Sequence, residues 1–144
     1  MVMRRWAVAG MALAAAAAVR AEPAPPNIVL ITLDTTRADH LGCYGWPHAR
    51  TPKLDRLAAG GTRFVSCDAS APLTLPSHAS ILTGLFPPGH GVRDNGIFVL
   101  ANHFDTVAEL LARGGYHTAA AVSAAVLGRT YGLAQGFRSY DDDR

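Results

Sequence analysis

The chain has 144 residues, 49% of them hydrophobic and 17% charged, with a formal net charge of +2. That balance is of a folded globular protein and excludes a highly charged disordered one. No basic run is interleaved with aromatic residues, which excludes a nucleic-acid partner on electrostatic grounds.

The N-terminus reads as a targeting segment. Arg4 and Arg5 precede an apolar, alanine-rich run from Trp6 to Val19, and Val19-Arg20-Ala21 follows at the cleavage position. Residues 1–21 are therefore expected to be a secretory signal, which implies a secreted or periplasmic protein. The competing reading is a membrane anchor. The apolar run is short for a bilayer, so no stable span is expected after cleavage. No cysteine follows it to carry a lipid. In an oxidising compartment Cys43 and Cys67 can pair or stay free, and sequence leaves both open.

Residues 22–26 form a proline-rich leader, and residues 27–144 form the domain. Ile28–Leu33 is a β-branched, apolar run, expected to be a strand buried on both faces of a parallel sheet and ending at Asp34. A helix is expected from Thr51 or Pro52, with Leu54, Leu57 and Ala58 on one face and Gly60-Gly61 as its stop. Thr62–Cys67 alternates like a second strand. Pro76–Leu82 predicts a short helix closed by Gly84. Thr106–Arg113 predicts another, with Val107, Leu110 and Leu111 inward and Gly114-Gly115 beyond it. His117–Ser123 predicts a third strand. Gly132–Tyr140 reads as a loop, and Asp141–Asp143 as a solvated turn. Strands alternating with helices give an α/β layered fold with a mostly parallel sheet. So few strands leave an unpaired edge, so further chain is expected to complete the sheet.

Two positions carry chemistry. Sites in α/β sheets form beyond the carboxyl ends of strands, where Asp34 is expected. A carboxylate there suits a hard divalent cation, but from position alone it more readily suits a simple turn or cap. Thr74 lies just before a predicted helix N-terminus, whose free N–H groups and dipole favour an anionic ester. Its hydroxyl has two readings: a nucleophile activated by a metal shared with Asp34, or a helix cap.

Longer motifs add to this local chemistry. Asn27-Ile28-Val29-Leu30-Ile31-Thr32-Leu33-Asp34-Thr35-Thr36-Arg37-Ala38-Asp39-His40-Leu41-Gly42-Cys43-Tyr44-Gly45 resembles the opening strand and metal loop of the sulfatase family, in the alkaline phosphatase superfamily. Thr51-Pro52-Lys53-Leu54-Asp55-Arg56-Leu57-Ala58 is similar to its next helix. Thr74-Leu75-Pro76-Ser77-His78-Ala79-Ser80-Ile81-Leu82-Thr83-Gly84 resembles its signature segment, and His90-Gly91-Val92-Arg93-Asp94-Asn95 follows at the expected distance.

The resemblance implies the N-terminal part of an alkaline-phosphatase-like α/β/α fold, and a hydrolase of sulfate or phosphate esters. It implies a divalent metal, with Ca, Mg, Mn and Zn all open, and an anionic ester substrate. Asp34 matches the first metal-binding aspartate. Thr35 falls where many members have a second acidic or amide ligand. Thr74 falls on the nucleophile and would also bind the metal. His78 falls where the family motif has arginine. Asn95 matches a substrate-side asparagine of related hydrolases, and His90, just after the signature helix, is a further substrate-side candidate.

Some positions depart from the family. Sulfatases carry a cysteine or serine at position 74 that is converted to formylglycine, and threonine is not a substrate for that conversion. Neither Cys43 nor Cys67 lies in a Cys-x-Pro-x-Arg setting. A threonine nucleophile looks more like the phosphodiesterases and phosphoglycerol transferases of the superfamily. The family completes its metal site with a downstream Asp-His or Asp-Asn pair that this chain lacks. His40, His48, His90, His103 and His117 show no His-x-x-x-His pattern. The alternative to an enzyme is thus a non-catalytic chain without a complete metal site.

Overall fold

The computed structural model describes residues 24–143, so the signal expected over residues 1–21 lies outside the described residues. The protein divides into two compact units, one ending at Thr32 and the other running from Leu33. In the first unit, residues 24–32 form neither helix nor strand, and Ile28, Val29, Leu30 and Ile31 are 58–79% exposed. The buried strand expected over Ile28–Leu33 is not formed. β-branched composition suits a strand, but a strand persists only when a neighbour takes up its N–H and C=O groups.

The second unit opens with a turn in which the Thr36 N–H donates to the Leu33 carbonyl at 3.3 Å. Short 3-10 turns follow at Ala38–His40 and Gly42–Tyr44. Helix α1 spans Pro52–Gly60, with Pro52 in the first turn, where its missing N–H costs nothing. Thr51 precedes α1 without capping it. Its hydroxyl instead accepts from the Gly42 N–H at 3.0 Å and donates to Asp55 at 3.1 Å. Asp55 also accepts from the Cys43 N–H at 2.7 Å, so one carboxylate joins α1 to the preceding turn. A Cβ at Gly42 would lie 2.6 Å from that carboxylate and would push the Asp55 side chain aside.

The second strand, expected over Thr62–Cys67, is also absent. Phe64 and Val65 are exposed, and the segment is held by Tyr44, whose hydroxyl donates to the Phe64 carbonyl at 2.9 Å. The Arg63 guanidinium sits 5.0 Å from the centre of the same ring. A single side-chain tether has replaced the expected ladder. Cys43 and Cys67 are free thiols.

Helix α2 spans Thr74–Thr83 and starts two residues earlier than expected. Pro76 is the third residue of α2, still among the first N–H positions that lack an intrahelical partner, so it need not start the helix. Gly84 ends it in the left-handed conformation, with its N–H on the Ser80 carbonyl at 2.8 Å. One face of α2 buries Leu75, Pro76, Ala79 and Ser80. Leu75 and Ala79 join Val92, Leu100, Leu127 and Leu133 in the core. Each buried leucine there contributes about 1.5–3 kcal/mol.

Two helices follow: α3, a single turn over Pro87–His90, and α4 over Val107–Arg113. Thr106 and Glu109 form a reciprocal capping box at the start of α4. The inward face of α4 differs from expectation: Ala108 is buried, while Val107 and Leu110 are exposed. The roll of α4 is set by close approach rather than by its largest apolar residues. The Thr106 hydroxyl donates to the Gln135 carbonyl at 3.0 Å, and a Cβ on Gly136 would collide with the backbone of Ala108 and Glu109.

Strand β1, Ala119–Ala121, is the central part of the strand expected over His117–Ser123. It pairs in parallel with β2, Ser139–Asp141, aligning Ala120 with Tyr140. The loop expected over Gly132–Tyr140 therefore ends in a strand. Asp141–Asp143 is not simply a solvated turn: Asp141 belongs to β2, and Asp142 is paired with Arg129 at 2.8 Å. Parallel pairing joins residues far apart in the chain, and no local pattern announces it. The second unit is thus an α/β arrangement around a short parallel pair. Among the described residues, no helix is long and apolar enough to cross a membrane.

Candidate active site at the first turn of α2

Asp34 and Thr74, forty positions apart, are brought into contact: the Thr74 hydroxyl donates to Asp34 Oδ2 at 3.1 Å. Asp34 is exposed and Thr74 half-buried, so the pair faces solvent. Thr74 is the first residue of α2, with Leu73 in the capping position, whose own side chain makes no capping bond. The Thr74 hydroxyl is engaged with Asp34, not with the helix backbone. The dipole of α2 places partial positive charge beside that hydroxyl.

The other oxygen of Asp34 is held as well. Oδ1 accepts the N–H of Thr35 at 3.1 Å, and Thr36 Oγ1 donates to the Asp34 carbonyl at 3.4 Å. Thr35 has φ 55°, the one non-glycine residue with positive φ among the described residues. A β-branched residue there is strained, and such strain gathers at functional turns. Thr35 thus holds Asp34 through its backbone. Beyond this turn, Arg37 and His40 bracket Asp39, and the Arg37 hydrogen bond holds its carboxyl well below the usual range.

Asn95 meets the same helix turn. Its Oδ1 accepts the N–H of Leu75 at 2.9 Å, the peptide immediately after Thr74. That bond fixes the amide orientation, since only the oxygen can accept. Nδ2 has no hydrogen-bond partner among the described residues. His78 lies one turn along α2, with Nδ1 2.8 Å from the Thr74 carbonyl, so Nδ1 carries the proton in that contact.

His90 is placed differently. It is 2% exposed, with Nε2 2.9 Å from Ser80 Oγ, while Nδ1 accepts the Val92 N–H at 3.1 Å. Burial holds its pKa below the ordinary imidazole range, which favours the neutral ring. Both ring nitrogens are occupied inside the protein. Sequence reasoning missed Ser80, since a serine on a helix face carries no signal until its partner is in place.

The donor set fits a hard divalent cation in part. Asp34 Oδ2 and Thr74 Oγ1 converge, and both are oxygens of the kind Ca²⁺, Mg²⁺ and Mn²⁺ prefer. Among the described residues, no group of three His, Cys, Asp or Glu side chains could hold a metal. A cleft of about 440 Å³ lies elsewhere on α2, lined by Ser77, Ser80, Ile81 and Phe86 together with Cys67 and Asp68. Neither Asp34 nor Thr74 lines it.

A turn carboxylate, Asp34, joined to a helix-start hydroxyl, Thr74, brings together the two positions that the sequence motifs single out. The family model described as Sulfatase matches residues 26–142. The chain belongs to the sulfatase family. It is similar to arylsulfatase A of Homo sapiens, 45% identical over 114 residues, covering 75% of this chain and 22% of that protein. It is 47% identical to steryl-sulfatase of Mus musculus over 74 residues, 51% of this chain and 12% of that protein. An arylsulfatase of Clostridium perfringens (strain 13 / Type A) is 40% identical over 93 residues, 65% of this chain and 19% of that protein. The chain thus spans roughly a fifth or less of the length of these relatives.

Proposed function

We propose that the protein is a metal-dependent ester hydrolase in which Thr74 is the nucleophile. The observation that carries this reading is the 3.1 Å contact from the Thr74 hydroxyl to Asp34. A divalent cation held by Asp34 and Thr74 would lower the pKa of the hydroxyl and stabilise charge on the reacting ester. The hydroxyl proton already points at the Asp34 carboxylate, and the α2 N-terminus faces the developing negative charge. Asn95 Nδ2 donates to an ester oxygen, and His78 lies beside the anion. Attack forms a bond from Thr74 Oγ1 to phosphorus or sulfur and breaks the bond to the alcohol, which leaves with a proton. Water then releases the group from Thr74.

The substrate is a sulfate or phosphate ester. Family membership supports sulfate, whereas an unmodified threonine supports phosphorus, through phosphodiesterase or phosphoglycerol-transferase chemistry. Thr35 acts through its backbone rather than as a ligand, and His90 stays inside the protein rather than on the substrate. The domain takes the layered α/β/α fold of the alkaline phosphatase superfamily. The signal over residues 1–21 directs the protein to the periplasm or the exterior, and N-terminal sequencing of the exported protein should begin at Glu22.

The test is turnover of bis(p-nitrophenyl) phosphate and p-nitrophenyl sulfate by Thr74→Ser and Thr74→Ala. Thr74→Ser keeps a hydroxyl and should stay within about tenfold of the parent, whereas Thr74→Ala should lose activity. Equal turnover by Thr74→Ala and the parent would remove Thr74 from the chemistry.

A further inference from the structure

The segment from His90 to Asn95 is pinned to α2 at both ends. His90 Nε2 meets Ser80 Oγ at 2.9 Å, and Asn95 Oδ1 takes the Leu75 N–H at 2.9 Å. Between them Val92 is fully buried in the core. The tautomer of His90 follows from its partners. The Val92 N–H can only donate, so Nδ1 accepts and Nε2 carries the proton, which it gives to Ser80. A histidine donating to a serine cannot also remove that serine's proton. Ser80 and His90 are therefore not a nucleophile and its base, despite their contact.

We infer that His90 is a positioning residue: its bonds to Ser80 and Val92 hold the 90–95 segment so that Asn95 meets the first turn of α2 beside Thr74. The inference rests on reading Asn95 as a substrate contact. Asn95 reaches the Thr74-Leu75 peptide through one hydrogen bond, and it sits on a segment whose neighbours Asp94 and Gly96 are exposed. A single bond at an exposed segment would let the amide wander. The buried anchor at His90 limits that freedom, and so fixes where Nδ2 points relative to the Thr74 hydroxyl.

The test uses the full-length protein and two readouts. The first is hydrogen exchange of the Leu75 amide, which depends on Asn95 and needs no substrate. Ser80→Ala, which removes one partner and leaves the core shape intact, should speed that exchange about tenfold, with the Glu109 amide of α4 unchanged. His90→Phe should do the same or more, and His90→Gln, which restores a donor toward Ser80, should recover much of the loss. The second is turnover of bis(p-nitrophenyl) phosphate and p-nitrophenyl sulfate. Ser80→Ala should raise KM about five- to tenfold with a smaller change in kcat, and should cost little more in an Asn95→Ala background. Unchanged Leu75 exchange in both Ser80→Ala and His90→Phe overturns the tether. Full additivity with Asn95→Ala overturns action through Asn95. If exchange responds as expected while Asn95→Ala turns over like the parent, the tether stands as structure but the positioning role falls, and with it the reading of Asn95.

Discussion

The first turn of α2 and the segment Thr62–Cys67 both carry apolar residues, yet only the first buries them. Around α2, Leu75 and Ala79 are fully buried, and Asp34, Asn95 and His90 each reach the helix by a hydrogen bond from elsewhere in the chain. Thr62–Cys67 leaves Phe64 and Val65 in solvent, with the Tyr44 hydroxyl bonding its backbone. The difference lies in what each element needs from its surroundings. A helix satisfies its backbone internally and requires only one covered face, whereas a strand must borrow a neighbour's backbone. Thr74 and His78 are on the element that is self-sufficient, which is where precise placement is easiest, and Asp34 and Asn95 reach it from turns.

Breaking the anchored region should have the largest consequences. Thr74→Ala should lower kcat by about 10³-fold or more while leaving thermal stability near that of the parent, since the hydroxyl points at Asp34 rather than capping the helix. Asp34→Asn should weaken divalent-cation binding, read by calorimetry, by roughly 10²-fold, because an amide oxygen carries no formal charge. Neither change should affect the environment of Thr62–Cys67.

Stability changes sharpen the comparison on a smaller scale. Gly136→Ala forces a Cβ into the backbone of α4 and onto a positive φ, and should cost about 2–3 kcal/mol in denaturant unfolding. His90 supplies a pH dependence. Its folded pKa lies below the ordinary value of 6.5 because burial penalises the charged ring. The unfolded chain therefore binds more protons as pH falls through 6.5. Stability is fully present above that value, declines below it, and levels off once pH passes the folded pKa. The melting temperature should fall over that window, and His90→Gln should flatten the slope. By contrast, Val65→Thr, on the poorly anchored segment, should change stability by no more than about 0.5 kcal/mol.

What was legible in the sequence follows the same division. Pro52 and Gly60-Gly61 marked α1, Gly84 marked the end of α2, and Gly114-Gly115 marked the end of α4, because these signals act within a few residues. The Ile28–Leu33 and Thr62–Cys67 strands were misread, because periodicity records a preference and not the presence of a partner. The β1–β2 pairing and the Arg129–Asp142 ion pair were hidden for the same reason. Motif resemblance singled out Asp34, Thr74 and Asn95, and the structure gathers all three at one helix turn. It also singled out His90, whose exchange of a solvent-facing role for a buried one depends on Ser80 and Val92 being in place.

The central claim is that Thr74 forms a covalent bond to the group it removes from the ester. The most direct measurement is mass spectrometry of the acid-quenched full-length protein, caught during turnover of bis(p-nitrophenyl) phosphate or p-nitrophenyl sulfate. The account predicts a phosphoryl or sulfuryl group on the peptide carrying Thr74, absent from Thr74→Ala. Turnover that continues in Thr74→Ala, or a covalent group on any other residue, would contradict it.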